Sequence, residues 1–344
     1  ALSNRGGELI QAGQGDFSLA LSGALDNTGG KLLSAGNMTL TAERLHNHDG
    51  TLHANQNLTL TTQRTDNAGG RLRAAQGDLT HTQHTGSDEA AGIQEAGGKL
   101  SLKSGGALTF AATDRLSAGQ SMTLTAGGDL TTAGQWVTNG DINVQAASLN
   151  LRAGSRIDAK HIALNAERAL TGSGTTLVGE HLALRGANLA LTGSTLSSAG
   201  AARLESGGAL TFSGSRLTAG TDATFSAPGG MDTRGASVLA GGQLTARAAT
   251  LDNTGGSLAG KTGLTLNTAT VDNTNGKLLT EGSAQVSAQN GFKNTGGTLA
   301  ANGDLTLDTN AGALDNTGGT LAAGGKLTAK AQSAPNEGGT LSAG

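Results

Sequence analysis

The chain has 344 residues and a formal net charge of -3, with 57 glycines, two prolines, no cysteine and only 2% aromatic residues. The missing cysteines exclude disulfide staples and thiolate metal centres, and the lack of any Lys/Arg run removes the basic stripe that nucleic-acid binding requires. No apolar run reaches the ~18 residues of a membrane span, and so few aromatic rings cannot fill globular cores of this size, so something more regular must bury the apolar surface.

Short segments of apolar-x-apolar type recur about every 20 residues along the chain, the signature of a repeat architecture. In residues 1–80 they fall into three columns. The first holds Phe17, Met38, Leu58 and Leu79, the second Leu9, Leu32, Leu52 and Leu72, and the third Leu2, Leu25, Leu45 and Thr65. Within a segment apolar and polar residues alternate, as in Leu58-Thr59-Leu60-Thr61. Such period-two patterning describes a strand with one face inward. Glycine pairs such as Gly29-Gly30 serve as corners, where positive φ carries no steric cost for glycine. Two residues beyond the third column, also facing inward, stand Asn4, Asn27, Asn47 and Asn67. Stacked inward amides can bond to the amides above and below, so a structural Asn ladder is expected.

Residues 81–98 (HTQHTGSDEAAGIQEAGG) read as a degenerate polar coil that stays in the stack, because Leu79 and Leu100 are 21 residues apart and Ile93 keeps the second column. His81 falls on an inward position there and is expected to be neutral if buried. This coil is the expected place for local softness or a lateral contact. Residues 99–250 continue the columns, for example through Leu100, Met122 and Ile142 in the first and Leu116, Val137 and Ile157 in the second. Here the Asn position turns mostly apolar: Phe110, Thr132, Leu151, Gly172, Leu191, Phe212 and Thr233. Trp136, next to inward Val137, is expected to point outward. In residues 251–344 the ladder returns as Asn253, Asn273, Asn294, Asn316 and Asn336.

The expected fold is all-β: a right-handed parallel β-helix (β-solenoid) of about 16 coils of 19–23 residues, with three short strands per coil and residues 1–344 forming one elongated fragment. The right hand is the expectation for parallel β connections. Neither end supplies a capping helix, and the opening ALSNRGGELI lacks the basic-then-apolar pattern of a signal peptide. The chain is therefore expected to continue on both sides, with any export signal lying outside it.

The repeated pattern LDNTGGxLxAxxxLTLxA, at Leu25–Ala42, Leu251–Leu266 and Leu314–Ala329, resembles the filamentous haemagglutinin repeats of bacterial two-partner secretion exoproteins. That family includes haemagglutinin adhesins and the toxin-delivery proteins of contact-dependent growth inhibition. Middle coils such as Gly207–Gly220, GGALTFSGSRLTAG, resemble a second flavour of the same repeats. The resemblance implies the structural shaft of a secreted protein displayed on the bacterial cell surface. It implies an outer-membrane transporter as partner during export. A host-cell or neighbouring-bacterium receptor would be bound through regions outside this chain. Neither the NPNG-like motif of the family's secretion domain nor its VENN-type motif occurs.

An enzyme is not expected, and no catalytic, cofactor-binding or metal site is assigned. Sugar-cleaving β-helices need clustered carboxylates, whereas Asp26, Asp66, Asp252, Asp272 and Asp315 share a corner position within the repeat, read as solvated. His46, His48, Asp49 and His53 fall in one coil, and His81 and His84 precede Asp88 and Glu89; both groups read as polar side chains of the surface rather than metal ligands. Outward Thr39/Thr41, Thr59/Thr61 and Thr80/Thr82 begin a regular array that Ser101/Lys103 interrupts, too short for an ice-binding face.

Overall fold

The computed structural model describes residues 1–85 and 91–344. Among these residues there is no helix, and the strands form two compact units, residues 1–169 and 170–344. Each unit is a stack of parallel β coils. In the first unit Phe17 pairs with Met38, and the column continues in register through Leu58, Leu79, Leu100, Met122, Ile142 and Ile162. In the second unit Leu182 pairs with Ala202, followed by Ala223, Leu244, Leu264, Ala284, Leu305 and Leu327. The two units hold about 16 coils, so the fold is the all-β parallel β-solenoid read from the repeat.

A coil passes through three faces. In one coil the third-column strand Ala24–Asp26 leads through a tight turn to the second-column strand Lys31–Ser34. A corner then leads to the strand Met38–His46, which carries the first column and runs on into the third column of the next coil. Burial alternates along these strands: Met38, Leu40 and Ala42 are buried, Thr39 and Thr41 exposed. Because the register is fixed, every interior side chain rests on the equivalent one in the next coil, and the core is a set of axial columns.

Two column assignments differ from the sequence reading. Trp136, not Val137, lies between Leu116 and Ile157; Trp136 is 1% exposed and Val137 43%. The cause is turn length. Asn27 and Leu32 are five positions apart, but only four separate Thr132 from Trp136, so the shorter turn brings the indole inward. There it packs edge-on against Phe110, which stands at the Asn position of its own coil, ring centroids 5.4 Å apart. The second change is at Gln94, which pairs with Leu72 and Leu116 in place of Ile93 and is buried while Ile93 is half-exposed. Its amide nitrogen donates to the Ala91 carbonyl, 3.3 Å away, which offsets the cost of burying it. The softness expected of residues 81–98 falls in part on residues 86–90, outside the described residues.

Trp136→Ala is predicted to destabilise the first unit by about 3–5 kcal/mol, whereas Val137→Ala should change stability by under about 0.5 kcal/mol. Chemical unfolding followed by circular dichroism measures both, and the reverse ranking would restore Val137 to the core.

Candidate functional site

The repeat LDNTGG is a small machine for turning a buried column through a tight corner. Leu25 is inward, and Asp26 beside it is outward. The Asp26 carboxylate accepts the Thr28 amide at 3.1 Å and the Thr28 hydroxyl at 2.7 Å, closing an Asx turn. These bonds hold the Asp26 carboxyl below its ordinary range. Asp252 accepts the Thr254 amide at 3.0 Å and the Thr254 hydroxyl at 2.6 Å. The first glycine of the pair takes a left-handed conformation, φ 62° at Gly29 and 63° at Gly255, and where Asp49 or Asn275 stands instead φ stays near 53–54°.

The Asn between Leu-Asp and the turn points inward. Asn4 donates to the Asn27 side-chain oxygen at 2.7 Å, Asn27 to Asn47 at 2.7 Å, and Asn47 to Asn67 at 2.6 Å. In the second unit the Thr233 hydroxyl donates to Asn253 at 3.0 Å, and Asn253, Asn273, Asn294, Asn316 and Asn336 follow at 2.6–2.7 Å. Each amide nitrogen also reaches the carbonyl three residues on, as in Asn27 to Gly30 at 3.1 Å. All but Asn336, which is half-exposed, are buried.

The second glycine of the pair is sterically tied to this amide. A Cβ at Gly30 would lie 2.7 Å from the Asn27 Oδ1 and closer still to the Asn4 carbonyl. Where the Asn gives way to Leu191 or Phe212, the same position carries Ser194 or Ser215. There Ser215 bonds the Leu191 carbonyl at 2.9 Å, and Thr175 bonds Ser194 at 3.2 Å. Every ladder residue from Asn4 to Asn67 and from Asn253 to Asn336 has a glycine three positions on.

The first ladder ends at Asn67, whose amide donates to the Ala91 carbonyl at 2.7 Å. Polar side chains occupy all three inner faces there. Thr65 stands in the third column, His81 on the first face and Gln94 in the second, each buried. His81 Nε2 lies 3.0 Å from the Thr65 hydroxyl, which lies 2.8 Å from that of Thr62. Gln83 donates to Ser104 at 3.1 Å. Burial pushes the His81 pKa down to about 4, so the ring is neutral near pH 7. In the next coil Asp114, 2% exposed, has its pKa raised by burial against the opposing pull of the Ala111, Ala91 and Gly92 amides.

The surface candidates stay dispersed. His46 aligns with Asp26 and Asp66 on the third face, whereas His53 aligns with Leu33 and Arg73 on the second. His48 lies 3.3 Å from Asp49. Among the described residues no three His, Asp or Glu side chains converge on a point that could hold a metal; Asp88 and Glu89 lie outside them. The corner carboxylates face cations of the chain itself: Arg5 at 3.2 Å from Asp26, Arg234 at 3.5 Å from Asp252 and Lys293 at 3.4 Å from Asp272.

One ordered feature escaped the sequence reading. The residue before the first column forms an outer corner column in which a side-chain oxygen accepts the backbone amide of its counterpart one coil on. Asn37 receives Asn57 at 3.1 Å, Asn57 receives Asp78 at 2.8 Å and Asp78 receives Lys99 at 2.7 Å. In the second unit Asp222 receives Gln243 and Asp304 receives Lys326, both at 2.8 Å. Its signal was an Asn or Asp immediately ahead of Met38, Leu58, Leu79, Ala223 and Leu305.

The family model for the haemagglutinin repeat matches residues 6–134, 96–186, 169–227, 215–296 and 280–344. The chain belongs to the haemagglutinin repeat family. A stretch of 45 residues is 58% identical to the toxin CdiA of Yersinia pestis, covering 13% of this chain and 1% of that protein. No solved structure matches the chain.

Asn273→Ala removes the donor to Asn294 and the acceptor of Asn253, and should cost the second unit about 2–4 kcal/mol. Thr274→Ala, which loses only turn bonds at the surface, should cost under about 1 kcal/mol; equal losses in urea unfolding would show that the buried amides carry no special weight.

His81 supplies a pH dependence with a definite sign. Its folded pKa of about 4 lies below the ordinary 6.5. Above pH 6.5 neither state binds the proton. As pH falls toward 4 the unfolded chain takes it up and the folded chain does not, so stability drops by about 3 kcal/mol across that window. The unfolding free energy should therefore fall more between pH 7 and pH 4 in the wild type than in His81→Leu, and an identical fall in both contradicts the burial.

Proposed function

We propose that this chain is a length of the structural shaft of a large secreted exoprotein, displayed on a bacterial cell and exported by an outer-membrane two-partner secretion transporter. The shaft projects an adhesive or receptor-binding region, carried elsewhere in the parent protein, away from the cell. The observation that carries this reading is the use of the interior: aliphatic columns and Asn ladders are committed to stacking coil on coil. A protein built so adds length by adding coils, since each coil contacts only its neighbours. Membership of the haemagglutinin repeat family supports it, as does a cysteine-free chain that can be threaded unfolded.

A second reading, the filament of a contact-dependent growth inhibition toxin-delivery protein, is favoured by the identity with toxin CdiA. It shares the same shaft and differs in what the parent carries at its far end: a C-terminal toxin with a small immunity gene downstream marks this reading, an adhesive region the first.

In-frame deletion of residues 251–270 joins Thr250 to Val271, which occupies the Leu251 position one coil on. In the parent protein this whole-coil deletion should leave export and antibody labelling of intact cells unchanged, while deletion of residues 251–260 breaks the register and abolishes both. Labelling that persists without the transporter, or that tolerates the half-coil deletion, overturns the proposal.

A further inference from the structure

The second unit carries an apolar strip on the outside of its second-column strands. The strands Ser237–Ala240, Ser257–Gly260, Lys277–Thr280 and Thr298–Ala301 stack in register. Their outward residues read Leu239, Ala259, Leu279 and Ala300, with Leu239 51% exposed. They line a groove of about 530 Å³. Its charged side chains, Lys261 and Glu281, both exposed, occupy equivalent corner positions in the two middle coils.

We propose that this strip docks against the same strip of a second copy, with the two coil stacks running in opposite directions. The order along the stack dictates the geometry. A two-fold axis parallel to the strands and midway between Ala259 and Leu279 sets Leu239 over the partner's Ala300 and Ala259 under the partner's Leu279. Every large side chain then meets a small one, as close packing requires. The same axis brings Lys261 opposite the partner's Glu281 and Glu281 opposite the partner's Lys261. A parallel arrangement sets leucine on leucine and alanine on alanine and leaves both charges without a counter-ion. Self-complementarity about a two-fold is the defining property of an isologous interface, and the charges fix its register more than its strength.

The strip is small. Four coils at ~4.8 Å make it roughly 20 Å long and one strand wide, far below the ~800 Å² per partner of stable complexes. The pairing is therefore weak and driven by concentration.

Sedimentation equilibrium of the 344-residue chain tests it. The weight-average mass should rise from 33.7 kDa toward twice that value as concentration approaches ~1 mM, the range in which so small an interface becomes populated. Lys261→Glu alone and Glu281→Lys alone each place like charges face to face and should weaken association at least about tenfold. An equimolar mixture of the two variants re-forms both ion pairs and should associate as the wild type does. Leu239→Ser, which leaves the charges intact, should also weaken pairing, and circular dichroism verifies that each variant keeps its strands. A wild type that stays at the monomer mass, single variants that associate normally, or a mixture that fails to recover overturns the proposal. The measurement uses purified chain, so its failure leaves the shaft reading untouched.

Discussion

The constraint on which the rest depends is the in-register stacking of parallel coils. When each residue lies one lap above its equivalent, an interior position is a column, and its neighbours along the axis are copies of its own kind. Aliphatic columns gain contact on both sides of every coil. A polar column is tolerable only if its donors and acceptors face each other along the axis. The Asn side chain meets that condition, with an acceptor and a donor to pass from coil to coil, as the 2.7 Å steps from Asn253 to Asn273 and Asn294 display.

That single requirement organises the corner around it. The amide needs the volume a Cβ would fill at Gly30, the chain must turn through a left-handed residue at Gly29, and the outward Asp26 holds the turn through Thr28. Where the interior becomes apolar the corner changes with it, and aromatic rings enter, as in the Phe212–Phe225 contact at 5.8 Å. The polar inset of Thr65, His81 and Gln94 obeys neither pattern. It joins the two by satisfying its own hydrogen bonds, and the burial of His81 within it ties the stability of the first unit to a histidine proton.

Much of this was legible in the residues because a repeat reports its own register many times over. Leu25, Leu45 and the other third-column residues appear at the positions their spacing dictates, and the inward Asn positions follow from period two. What escaped was whatever depended on a turn of unusual length or on a polar group in an aliphatic place. Counting five positions from Thr132 selects Val137, but a four-residue step selects Trp136. Preferring an aliphatic residue selects Ile93, but hydrogen bonding selects Gln94. The outer corner column of Asn37, Asn57 and Asp78 was hidden because Asn and Asp at corners are ordinary turn formers, and their amide acceptance between coils has no periodicity beyond the repeat itself.

In-register stacking can be measured directly, since the chain has no native cysteine. Spin labels at Thr245 and Thr265, outward partners in adjacent coils, should show strong dipolar broadening, as expected for sites ~5 Å apart in neighbouring strands. Labels at Thr245 and Gln285, two coils apart in the same column, should show clearly weaker broadening. Spectra of the adjacent pair that match the sum of the singly labelled chains would contradict the account.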